Sequence, residues 1–196
     1  MEITTARETA GNLGGVKVPM AHFGEGGVLT GVSDGEAART SIERACQQLM
    51  DDQVIALDFA GVRAISVPFA DASIGRLLSG RSAGYYENHP IAILNAVPDV
   101  RETIAASLRL HHLYVLAIGE GGPELLGADE VLATTMRQAA ELDQFSVHEL
   151  ADRLDLSPQA ANNRLRVLLR SGAIQRERIK PARGGREFRY RVPTKP

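Results

Sequence analysis

Apolar residues along this chain follow two different periods. Short continuous runs occur at Val54-Ile55-Ala56-Leu57-Asp58-Phe59, Ile91-Ala92-Ile93-Leu94 and Tyr114-Val115-Leu116-Ala117-Ile118. Such runs mark strands buried on both faces, the habit of parallel sheets. Between them the spacing becomes helical. Ala38, Ile42, Ala45 and Leu49 align over about 35–50, and Val100, Ile104 and Leu108 align from Pro98 to about Leu110. Phe69, Ala72 and Leu77 follow Pro68, whose fixed φ suits a first helical turn. Ser33-Asp34-Gly35-Glu36 reads as a capping box opening the first helix. A strand or hairpin is expected over Val16–Thr30, and a loop from Ser79 to His89. Residues 1–14, polar and Gly-containing, read as a flexible N-terminus. The alternation predicts an α/β unit over residues 15–120, a small sheet with packed helices.

The pattern changes after Ile118. Residues 121–127, Gly-rich with one Pro, read as a linker. Leu132, Met136 and Ala139 or Ala140 mark a helix over about 128–141. Ser146 and Glu149 form a capping box for a second helix carrying Leu150 and Leu154. After Asp155-Leu156, Ser157-Pro158 begins a third helix as N-cap and first residue, with Ala161, Leu165 and Leu168 inward and Gly172 at its end. Ala173–Ile179 reads as a strand, Lys180–Gly185 as a basic turn, and Arg186–Val192 as a returning strand. In that strand Phe188, Tyr190 and Val192 alternate with Arg189 and Arg191. Two helices across a tight turn, then a hairpin, give an α+β unit over 128–196 with a helix-turn-helix pattern.

Charge divides the chain at the same place. The whole chain has 22 Lys+Arg and 24 Asp+Glu, a formal net charge of −2. Residues 157–196 hold 11 of the bases and 2 acids, Glu177 and Glu187, a net of +9. Residues 1–156 therefore hold 11 bases and 22 acids, a net of −11. Such asymmetry points to a polyanion-binding end joined to a part with another task. No apolar run approaches the ~20 residues that span a bilayer, and no secretion signal opens the chain, so a cytoplasmic protein is expected. Cys46 is the only cysteine, which excludes an internal disulfide and a multi-cysteine zinc site.

Catalytic chemistry finds little support. The glycine clusters lack a GxGxxG strand-to-helix turn and a Walker Lys-Ser/Thr, so they read as turns. His111-His112 has no HExxH and no Cys partner, which favours packing or surface roles over metal ligation. Asp58 reads as a strand end and Asp71 as a residue of a helical first turn. Cys46 reads as a small buried hydrophobe. No enzyme, metal or cofactor is expected.

Leu57-Asp58-Phe59-Ala60-Gly61-Val62-Arg63-Ala64-Ile65-Ser66-Val67-Pro68-Phe69-Ala70-Asp71 resembles the central strand–loop–helix of STAS domains, the anti-sigma-factor-antagonist fold. It is most similar to the divergent STAS-like group whose motif ends in Ser-x-x-Phe-Ala-Asp. The resemblance extends loosely over about Gly27–Glu120. It implies a docking surface for a protein partner and a Ser or Thr, at the start of this helix, that a partner kinase phosphorylates. Here Ser66 stands where that family usually has Asp, and Val67 where the phosphorylated Ser would be. Ser66 is thus the candidate for phosphorylation or partner contact, with simple helix capping as the alternative role.

Phe145–Val192 resembles a winged helix-turn-helix domain of MarR or ArsR type, on Leu150-Ala151, Leu156-Ser157-Pro158, Leu165 and Ser171-Gly172-Ala173-Ile174. With Ala161, Leu165 and Leu168 inward, Gln159, Asn162, Asn163 and Arg166 become candidates for base edges. Arg164 and Arg170 are expected to reach phosphates, unless Arg164 pairs with Asp152 or Glu149. Lys180, Arg183 and Arg186 at the wing tip would meet the minor groove or backbone. The expectation is a transcription regulator: a STAS-like sensing domain coupled to a winged helix that binds double-stranded DNA as a homodimer. The alternative is a partner-switching adaptor, whose STAS-like domain docks a kinase or anti-sigma-like ATPase and whose winged helix is a protein-interaction module.

Overall fold

The computed structural model describes residues 15–47, 49, 53–85, 89–142, 144–179 and 187–193. The N-terminal segment 1–14 lies outside them. The fold is mixed α/β around a mainly parallel five-stranded sheet. In chain order its strands are β1 (Gly15–Pro19), β3 (Val54–Asp58), β5 (Ile91–Leu94), β6 (Val115–Gly119) and β7 (Gly122–Leu126), and they lie in the sheet in that same order. The first four run parallel, and β7 returns antiparallel to β6. A separate parallel pair joins β2 (Val28–Leu29) to β4 (Ala64–Ile65).

Alternation along the strands sends side chains to two different cores. Ile55, Leu57, Ile91, Ile93, Val115 and Ala117 face one side. There they meet Ala38 and Ile42 of α1 (Val32–Cys46), Phe69 of α2 (Val67–Ala70), Leu77 of α3 (Arg76–Ser82), and Ile104 and Leu108 of α4 (Pro98–Arg109). One π-helical turn, Asp71–Gly75, joins α2 to α3. The opposite face presents Val54, Ala92, Leu116 and Leu125, which pack against Leu132, Met136 and Ala139 of α5 (Glu130–Ala140). The same cluster continues into Phe145, Leu165, Leu168, Ile174 and Tyr190. The C-terminal third thus shares a core with the sheet.

Several expectations change in detail. The segment Val16–Thr30 forms no hairpin: β1 pairs parallel with β3, and a 3-10 turn, Met20–Phe23, leads toward β2. Ser33 makes no capping box, because α1 already begins at Val32, and a residue with helical backbone cannot serve as N-cap. The loop expected from Ser79 starts later, since α3 runs to Ser82. Residues 121–127 are not a linker. Gly119 pairs with Gly122 across a two-residue turn, Gly122 has φ +89°, and Leu125 and Leu126 are buried in β7. Gly122, just past the turn, takes that left-handed φ without the penalty a Cβ would bring. Among the described residues, no helix is long and apolar enough to cross a membrane.

At the C-terminal end of the parallel strands a buried carboxylate ties three of them together. Asp58 accepts from the Ala60 N–H at 3.0 Å and from Asn95 Nδ2 at 2.7 Å, and pairs with Lys17 Nζ at 2.7 Å. Lys17 belongs to β1, and Asn95 immediately follows β5. Burial pushes the Asp58 carboxyl up. Lys17, Asn95 and the Ala60 N–H outweigh it and hold the group below its ordinary value. A carboxylate with a depressed folded-state pKa stabilises the fold above its unfolded pKa. That contribution is lost as pH falls through the folded value. Urea unfolding of the wild type between about pH 5 and about pH 2 should therefore show a stability loss that Asp58→Asn makes shallower, from a lower starting stability.

Candidate nucleic-acid interface

The helical pair after α5 is built by local capping. In α6 (Val147–Arg153), the Ser146 hydroxyl accepts from the Glu149 N–H at 3.2 Å, and the Ser146 N–H donates to Glu149 Oε2 at 2.6 Å. That expected capping box is present. The Ser146 N–H, then its hydroxyl, and Arg189 hold the Glu149 carboxyl below its usual range. After a short turn in which Asp155 has φ +52°, the Ser157 hydroxyl caps α7 (Pro158–Ser171) by accepting from the Ala160 N–H at 3.2 Å. Leu150 and Ala151 of α6 and Ala161, Leu165 and Leu168 of α7 are buried. Gly172, at φ +76°, ends α7 with its N–H on the Leu168 and Leu169 carbonyls.

With its inner edge fixed, α7 turns a definite outer face to solvent. Gln159, Asn163, Arg166 and Arg170 are exposed. They stand at i, i+4, i+7 and i+11, so at ~100° per residue they form one narrow stripe opposite the buried edge. Asn162 is half-buried on its flank. Arg164 is different. It lies near the buried edge, and its Nη1 donates to Thr135 Oγ1 of α5 at 3.2 Å. In the free protein Arg164 thus ties α7 to α5, and among the described ion pairs it joins neither Asp152 nor Glu149. Glu149 instead binds Arg189 Nη1 at 2.7 Å.

Beside α7, β8 (Gln175–Ile179) and β9 (Glu187–Arg191) form an antiparallel pair. Tyr190 anchors it: its N–H and carbonyl exchange bonds with Phe145 at 2.8 and 2.9 Å, and the two rings stack at 5.9 Å. Val192 is buried as expected, whereas Phe188 is exposed, with the Arg176 guanidinium 4.5 Å from its ring centre. Arg176 and Arg178 are exposed on β8. Sequence reasoning missed them, although their two-residue spacing within an expected strand puts them on one face. Lys180, Arg183 and Arg186 lie outside the described residues.

The other candidates take structural places. Ser66 caps the helix that begins at Val67, accepting from the Phe69 N–H at 3.3 Å. Cys46 is buried, and burial pushes its thiol up to about 11. His111 Nε2 lies 2.9 Å from Asp71 Oδ1. Among the described residues no group of three or more His, Cys, Asp or Glu is arranged to hold a metal ion. No family model matches the chain, and the comparisons with curated proteins and with solved structures found no match.

The caps define the ends of α6 and α7, so their loss should be measurable. Ser146→Ala and Ser157→Ala are each expected to destabilise the protein by about 1 kcal/mol. The urea midpoint should fall in each case while the slope of the transition stays constant.

Proposed function

We propose that this protein is a DNA-binding transcription regulator, in which α6, α7 and the β8–β9 pair act as a winged helix on duplex DNA. One observation carries the reading: the solvent-facing stripe of Gln159, Asn163, Arg166 and Arg170 lies opposite the buried edge of a helix in the basic part of the chain. Asn and Gln can pair with adenine edges and Arg166 with guanine, while Arg170 meets phosphate. Arg176 and Arg178, with Lys180, Arg183 and Arg186 of the expected wing, would meet phosphates. The acidic charge of residues 1–156 favours approach to a polyanion through the C-terminal face alone. The STAS-like part is the sensing or partner-binding portion, and a homodimer would read two half-sites.

A second reading, the partner-switching adaptor, draws on a different feature. Val28, Val32 and Val67 are exposed on elements that meet around Ser66. Large apolar side chains clustered at a surface suit a protein partner.

Titration of labelled duplex DNA, random and from the protein's own locus, at two salt concentrations separates these readings. For the regulator, affinity falls with salt, and Arg166→Ala with Arg170→Ala weakens binding by on the order of tenfold or more. Arg164→Ala should instead lower the unfolding midpoint and leave the salt slope unchanged. Affinity untouched by Arg166→Ala, Arg170→Ala and Arg176→Ala together would remove the DNA reading and favour the adaptor.

A further inference from the structure

A cavity of about 440 Å³ opens between the C-terminal half of α7, the end of α3 and residues 111–114, which lead into β6. Its lining has two characters. Leu78, Leu113 and Val167 give it an apolar wall, while Arg81, His112 and Arg170 contribute nitrogen donors. No Asp or Glu lines it among the described residues. His111, also in the lining, is bonded to Asp71 at 2.9 Å.

Arg81, one of the lining residues, ties α3 to α7. Arg81 is buried and donates through Nε to the Arg170 carbonyl at 3.3 Å, and through Nη1 to the His89 carbonyl. A cation at the C-terminal end of α7 is favoured by the helix dipole. Gly172 permits the approach, since a Cβ there would lie 2.8 Å from Arg81 Nη2. Arg170 is exposed, lines this cavity and is also the last residue of the outer stripe of α7.

We infer that this cavity is a binding site for a small organic anion with an apolar body. The charged group sits against Arg170 and His112, and the body lies on Leu78, Leu113 and Val167. A donor-rich, acid-free lining beside an aliphatic wall selects both halves of such a molecule. An anion held on Arg170 withdraws that side chain from phosphate, so the ligand lowers DNA affinity. This regulatory half rests on the function proposed above, whereas the binding half does not.

The full chain is titrated with 1-anilinonaphthalene-8-sulfonate, an anion with an apolar body, and with its neutral counterpart N-phenyl-1-naphthylamine. Inorganic phosphate serves as competitor. Ser82, exposed at the end of α3 and lining the cavity, is varied to Glu and to Lys. Saturable one-site binding of the anion is expected, weakened on the order of tenfold by Ser82→Glu and unchanged or tightened by Ser82→Lys. Opposite responses to the two charges also exclude misfolding as the cause. Equal binding to both variants, equal binding of the neutral compound, or displacement by phosphate at equal concentration would overturn the site. Weaker duplex binding in saturating probe supports the coupling, and unchanged duplex binding overturns it. A chain that binds the anion but no DNA leaves the cavity standing and removes the function proposed above.

Discussion

Everything in this molecule follows from a parallel sheet whose central strands are apolar on both faces. Successive residues of β3, β5 and β6 point to opposite sides, so Ile55 and Val54, or Val115 and Leu116, need two separate covers. Helices α1 to α4 supply one. The other falls to α5 and, through its cluster, to α7. Leaving a leucine such as Leu116 or Leu125 in water would cost roughly 1.5–3 kcal/mol each. The C-terminal helices are held to the sheet by that penalty.

The placement of α7 inherits this constraint. Leu165 and Leu168 must point into the shared core, which sends Gln159, Asn163, Arg166 and Arg170 outward. Polar ties then refine the position at each end. Arg164 reaches Thr135 of α5, and Arg81 of α3 holds the carbonyl of Arg170. The face proposed for DNA is therefore rigidly referenced to the sheet, and a change near α3 is felt at the end of α7.

Elements whose burial is one-dimensional were legible in the sequence. The three continuous apolar runs became β3, β5 and β6, and the Ser146 and Ser157 caps fall where their spacing placed them. The Gly-rich segment 121–127 was misjudged because glycine marks both linkers and hairpin turns. Leu125-Leu126, pairing back onto Val115-Leu116, was the signal that distinguished them. Arg164 and Arg81 were beyond sequence reasoning for another reason. Their partners, Thr135 and the Arg170 carbonyl, lie far away in the chain, and a long cationic side chain carries no mark of the direction it will take. The outer stripe of α7 was partly legible, because its polar residues repeat with the helical period.

The two-faced sheet has a consequence for how the chain is made. Synthesis delivers β1 to β7 first, and about 40 further residues separate Leu126 from Leu168. At about 5–20 residues per second, the second face of the sheet waits roughly 2–8 s for its full cover. During that interval Val54, Ala92, Leu116 and Leu125 form a greasy plane on a nascent protein. A fragment that ends before α7 would keep part of that plane uncovered and be prone to aggregate.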